Sequence, residues 1–156
     1  MYTEQDLSDV NRQLRGRFWA LGAPAALLLG GIIVSFVFRV RWLTYGLSLV
    51  LGAGSLFCWG LLISPVLAYR RHLDAVLHGR TRVTSGQFKE MEPRAVEREG
   101  VYFYPLLLSV GDPENPEDDR LFYFDANLPR PGWQPGDALT LTAHDKAICK
   151  WEKGAA

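Results

Sequence analysis

His144 stands beside Asp145, and a histidine next to a carboxylate is the smallest pair that could carry a proton to and from a substrate. Adjacent residues of a strand face opposite sides, and the stretch AHDK, 143–146, has the composition of a tight turn, so polar turn chemistry is expected. His72 and His78 raise a metal site. Six positions apart on a helix, however, they do not share a face as ligands at i and i+4 do, so solvated side chains beside a basic collar are expected. Asp112, Glu114, Glu117, Asp118 and Asp119 crowd the loop GDPENPEDD, but its spacing lacks the alternate-position ligands and fixed glycine of a calcium loop. Cys58 and Cys149 lie in segments of different character and have no metal-ligand spacing, so no disulfide or thiolate site is expected. There is no nucleophile elbow and no glycine-rich phosphate loop. No catalytic, cofactor-binding or metal-ligating residue is assigned, no cofactor is expected, and an enzyme is not expected.

The elements that would position these residues divide between two solvents. Between Arg17 and Arg39 lie 21 residues without a charge, and between Arg41 and Arg70 lie 28. As helices these runs would be roughly 31 Å and roughly 40 Å long, against a hydrocarbon core of about 30 Å. Burying two such helices on all sides would need more chain than the remainder supplies. Two transmembrane helices are therefore expected. The first run is too long for the apolar part of a signal peptide and has no small-x-small cleavage site before Arg39.

Basic residues near membrane ends stay on the cytoplasmic side. Arg12, Arg15 and Arg17 precede the first run, and Arg70, Arg71, Arg80 and Arg82 follow the second, whereas the connection FRVRW holds only Arg39 and Arg41. The expected location is thus the cell membrane, multi-pass, with both termini cytoplasmic and Arg39 and Arg41 outside. Trp19, Trp42 and Tyr45 fit interfacial aromatic belts, and Arg17, Arg39, Arg41, Arg70 and Arg71 can reach headgroup phosphates.

Small residues recur along both runs, Gly22, Ala26 and Gly30 on the first and Ser48, Gly52, Gly60 and Ser64 on the second. At this spacing they let helix backbones approach, within the hairpin or between copies. Neither run contains a titratable Asp, Glu, Lys, Arg or His, which disfavours an ion or proton path within one chain.

Three segments follow. Residues 1–17 form an N-terminal cytoplasmic segment, with Thr3 and Asp6 at capping-box spacing and Leu7, Val10 and Leu14 on one helical stripe. Residues 18–78 form the hairpin with a helical extension past Tyr69, kinked near Pro65 and stopped by Gly79. Residues 79–156 alternate as about five short strands over RTRVTSGQFKEME, VYFYPLLLSV, DRLFYFDANL and GDALTLTAHDKAICKWE. A small all-β barrel of OB or SH3-like type suits this count, with Pro105 marking an edge or bulge. Two membrane helices followed by a small barrel resemble in outline the membrane-anchored NfeD-like proteins. The likeness is one of layout and carries no functional residue across.

Tyr102, Tyr104 and the loop residue Trp133 in PRPGWQPGD are the candidate partner contacts. Aromatic strands can also stack single-stranded nucleic acid, but the chain from Arg80 onward holds ten basic and thirteen acidic residues with no basic stripe. Nucleic acid is not an expected partner. The lipid bilayer and a protein partner or a second copy are. The composition therefore points to an integral membrane protein presenting a cytoplasmic interaction or assembly module. Two alternatives are an accessory subunit of a transport or secretion complex, and a membrane-tethered enzyme or small-ligand binder working near Trp133 and His144.

Overall fold

The computed structural model describes residues 1–154. Helix α1 covers Glu4–Val37 without interruption, so the N-terminal amphipathic stretch and the first apolar run are one rod. Its start is a reciprocal capping box. The Asp6 amide donates to Thr3 Oγ1 at 3.3 Å and the Thr3 amide donates to Asp6 Oδ2 at 2.8 Å, with aspartate in the place usually taken by glutamate.

Only Phe38, Arg39 and Val40 separate α1 from the second helix. Arg39 takes a positive φ of 58°, and the buried Ser35 hydroxyl bridges the turn, 3.0 Å from the Val40 carbonyl and 2.8 Å from Thr44 Oγ1. The second helix is continuous from Arg41 to His78. It comprises α2 (Arg41–Cys58), a π-helical turn (Trp59–Ile63) and α3 (Ser64–His78). Pro65 lacks an N–H and its ring crowds the carbonyl four residues back, and the π turn widens the helix immediately before it. The expected kink is thus a π turn.

Both helices are long and apolar enough to cross a membrane, and only 6% of the most apolar window of each is buried. Leu27, Phe36, Trp42 and Leu56 all point outward, the reverse of what a soluble core helix does. Close packing within the hairpin is visible at Gly31, where an added Cβ would sit 3.4 Å from Leu47 Cδ1. At Gly22, Gly30, Gly52 and Gly60 an added Cβ would meet nothing within 4 Å, and Gly22 lines a cavity shared with Leu51, Gly54 and Ser55 of the second helix.

The chain divides into two compact units, Ser8–Leu67 and a second made of Met1–Leu7 with Ala68 onward. The divisions expected at residues 17 and 78 therefore move. Residues 1–7 and the helical extension belong with the strands, because hydrogen bonds tie them there.

The strands are β1 (Arg82–Met91), β2 (Val96–Arg98), β3 (Val101–Ser109), β4 (Asp119–Asp125), β5 (Ala138–His144) and β6 (Ala147–Lys153). They form one mostly antiparallel six-stranded sheet in the order β1-β5-β6-β4-β3-β2, and β1 also pairs with β3. Strand β1 does both jobs in succession, with residues 82–87 on β5 and 87–91 on β3. The change of partner falls at Gln87, next to Gly86, where an added Cβ would lie 2.2 Å from the Ser109 carbonyl oxygen. Only glycine allows that approach.

Pro105 is not on an edge, since β3 pairs with β4 from Phe103 to Ser109 and with β2 and β1 on its other side. A strand residue's N–H and C=O point the same way, and the Pro105 carbonyl accepts from the Glu92 amide at 2.9 Å. Its missing donor therefore faces the gap where pairing with β2 stops, at Phe103, and pairing with β1 starts, at Leu106. The three-residue β2 was not expected. It closes against β3 through Glu99 and Gly100, both at positive φ, as are Asp145 and Lys146 in the β5–β6 turn. Alternate residues Leu106, Leu108, Phe122, Phe124, Leu139, Leu141 and Ile148 meet in the core.

Candidate functional site

Asp125, the last residue of β4, is completely buried. Four donors converge on its carboxyl group. The Tyr2 and Tyr69 hydroxyls donate to Oδ2 at 3.0 and 3.1 Å, and the Asn127 amide and side chain donate to Oδ1 at 2.8 and 3.0 Å. Tyr2 arrives from just before α1 and Tyr69 from α3, so one strand-end carboxyl gathers three distant parts of the chain. A buried carboxyl is costly without such partners and stable with them.

His72, one helical turn beyond Tyr69, completes the cluster. Its ring packs edge-on against Phe103 at 5.1 Å, and its Nε2 lies 3.4 Å from the Tyr2 oxygen. The Tyr2 proton is directed to Asp125, so Nε2 is the donor in that long contact. Burial lowers the His72 pKa below its ordinary value, against an opposing pull from Asp125. Burial, with Asp125 nearby, raises the Tyr2 phenol far above the usual tyrosine range. The expectation that His72 is a solvated collar residue is thus corrected, while His78 is exposed, 3.2 Å from Asp74 and 3.4 Å from Glu4.

Beside His72 opens a cavity of about 320 Å³, walled by Arg71, Arg98, Phe103, Tyr123 and His144 among others. Arg98 lies over the Tyr123 ring, 4.3 Å from its centroid, which orients the guanidinium and leaves its N–H edges free. His144 Nδ1–H donates to the Arg80 carbonyl at 2.8 Å. Its Nε2 is 3.5 Å from Asp145, an almost fully exposed turn residue. A second, larger cavity of about 1170 Å³ shares Arg98, His144 and Asp145 with the first and adds Arg80, Arg82, Arg120 and Lys146.

These cations come from the α3 extension, β1, β2, β4 and the β5–β6 turn, and none of their side chains forms an ion pair among the described residues. Spread over 76 positions from 71 to 146, they leave no stripe in the sequence. Folding makes one.

The other candidate residues lie elsewhere. Trp133 turns inward and packs on Phe88, Phe124 and Trp151 with centroids 5.7, 5.7 and 5.1 Å away, so it fills the core and offers no contact face. Tyr102 is exposed, and Tyr104 is half-buried beneath Arg130, whose guanidinium lies 3.7 Å from the ring centroid. In the acidic loop, Asp118 Oδ2 accepts from the Asp112 amide at 3.0 Å and Asp112 Oδ1 from the Glu114 amide at 3.0 Å, which is turn chemistry. Arg17 donates to the Leu62 carbonyl beside the π turn. Trp19, Trp42 and Tyr45 are exposed, as are Arg39, Arg41, Arg70 and Arg71. Cys58 and Cys149 are free, and burial raises the Cys149 pKa.

Sequence reasoning missed Tyr2, Tyr69 and Asp125 as a group. Their one signal was an aspartate ending a strongly apolar strand, LFYFD. Neither a family model, nor a curated protein, nor a solved structure matches this chain.

Proposed function

We propose that this chain is an integral membrane protein whose two-helix hairpin presents a cytoplasmic β module for interaction or assembly, without catalysis. The observation that carries the reading is Asp125. It joins Tyr69 of the helical extension and Tyr2 of the N-terminus to the end of β4, so the strand unit includes both segments that lead to it. A tethered enzyme domain can move on a loose linker. A domain that takes in both segments leading to it, with three residues between α3 and β1, suits an interaction module.

The circuit of pairings β1-β5-β6-β4-β3-β1 supports a small barrel for this module. Its parallel step between β4 and β6, with β5 beyond, favours the Greek-key order of an OB barrel over an SH3-like one. The uncrowded glycines and outward apolar side chains of both helices support assembly through the membrane segments.

Purification of the full chain in a mild detergent, with the protein mass measured by light scattering, tests this reading. A complex of defined stoichiometry, with a second protein or further copies, is the expected result. A single chain without partner at all protein concentrations contradicts it. The adjoining cavities favour a second reading, a membrane-tethered binder of a small ligand. Saturable ligand binding by that single chain would select it.

A further inference from the structure

The geometry points to a binding site for the phosphate of an anionic lipid headgroup, formed by Arg71, Arg98 and the cations of the two adjoining cavities. The inference rests on the membrane reading above and adds a ligand to it.

Charge is the first argument. From Arg80 onward the chain is acidic, ten basic residues against thirteen acidic, yet Arg71, Arg80, Arg82, Arg98, Arg120 and Lys146 line two cavities that share a wall. Facing them are three carboxylates, Glu99, Asp119 and Asp145. Asp119 is taken by Lys89 at 2.8 Å, and Asp145 is an exposed turn residue beside His144. Six cations without ion-pair partners against three carboxylates, on an otherwise acidic domain, attract an anion.

Side-chain chemistry is the second. Five of the six are arginines, whose planar fork fits phosphate oxygens bidentately. Arg98 is already aligned by the Tyr123 ring, so less freedom is lost when it binds.

Position along the chain is the third. The wall of the smaller cavity includes Ala68, which lies inside the uncharged run 42–69, and Arg71, the second charge after it. Where that run fills the hydrocarbon, its end lies among the headgroups. A soluble phosphate could satisfy the same arginines, but it does not need them at the end of an apolar helix.

The test uses the full chain in nanodiscs of zwitterionic lipid containing a minor fraction of anionic phospholipid, with retained lipids counted by native mass spectrometry. Incorporation into discs is scored first, because its failure bears on the membrane reading and not on the site. Given incorporation, the wild-type chain is expected to retain anionic over zwitterionic lipid. Arg71→Glu and Arg98→Glu should each cut that preference roughly tenfold, while Arg94→Glu, the same charge change outside both cavities, leaves it intact. Arg98→Gln, which keeps length without charge, should give a smaller loss and guards against misfolding, with near-UV circular dichroism as the fold check. No preference in the wild type, or an equal loss in Arg94→Glu, overturns the site. Saturable binding of inorganic phosphate in detergent, with no preference among lipids, overturns the lipid as its source.

Discussion

Tyr69 Oη donates to Asp125 Oδ2 across 3.1 Å of space and 56 positions of sequence. The same oxygen takes the Tyr2 hydroxyl, so a carboxyl at the end of β4 holds both segments that lead away from the strand unit. Asp125→Asn keeps the shape and puts an NH2 group among four donors. It should cost roughly 2–4 kcal/mol, and Tyr69→Phe roughly 1.5–3 kcal/mol, by loss of bonds to a buried polar group. Denaturant unfolding of the full chain in detergent, followed by near-UV circular dichroism, measures both. Stability unchanged in Asp125→Asn would remove the latch from the account.

A pH dependence follows from His72. Its pKa is lowered in the folded protein, chiefly by burial, so the unfolded chain takes up the proton first as pH falls through about 6.5. The contribution of neutral His72 is complete above that pH and is lost as pH drops toward the folded value. Tyr2, Asp125, His144 and Glu99 are the titratable groups that bear on this ring. The melting temperature should therefore fall between pH 7.5 and 5.5, and His72→Gln should flatten that fall. Equal slopes in the two proteins would place the pH sensitivity elsewhere.

Much of the fold was legible in the sequence because it rests on local pattern. The uncharged runs mark the two helices, Asp-Lys and Glu-Gly mark turns at positive φ, and Phe122 and Phe124 alternate with Leu121 and Tyr123 as a half-buried strand requires. The strand β2 escaped notice because three residues, Val96–Arg98, are too few for a period to register. The candidate site was less legible. Asp125 with Tyr2, and Arg71 with Lys146, are brought together only by tertiary pairing, and nothing in local periodicity encodes a contact across 123 positions. Trp133 was misread for a related reason. Prolines and glycines around it signal a loop, and a loop residue is expected outside, but this loop returns its ring to the core.

Burial of Trp133 separates two roles. Trp133→Ala should destabilise the protein by about 3–5 kcal/mol, as large aromatic truncations in cores do, whereas Tyr102→Ala at an exposed position should stay within about 0.5 kcal/mol. Thermal unfolding in detergent distinguishes them. A stable Trp133→Ala protein that has lost a partner would instead return this ring to the surface.

The proposed function depends most on a hairpin that would leave both termini and the β module on the cytoplasmic side. With Cys58 and Cys149 replaced by serine, single cysteines at Val40, in the helix turn, and Glu114, in the exposed acidic loop, report the two sides directly. A membrane-impermeant maleimide applied to intact cells should label Val40→Cys at once and Glu114→Cys only after the membrane is opened. Labelling of Glu114→Cys in intact cells, with Val40→Cys protected until permeabilisation, would contradict the orientation and every function placed on it.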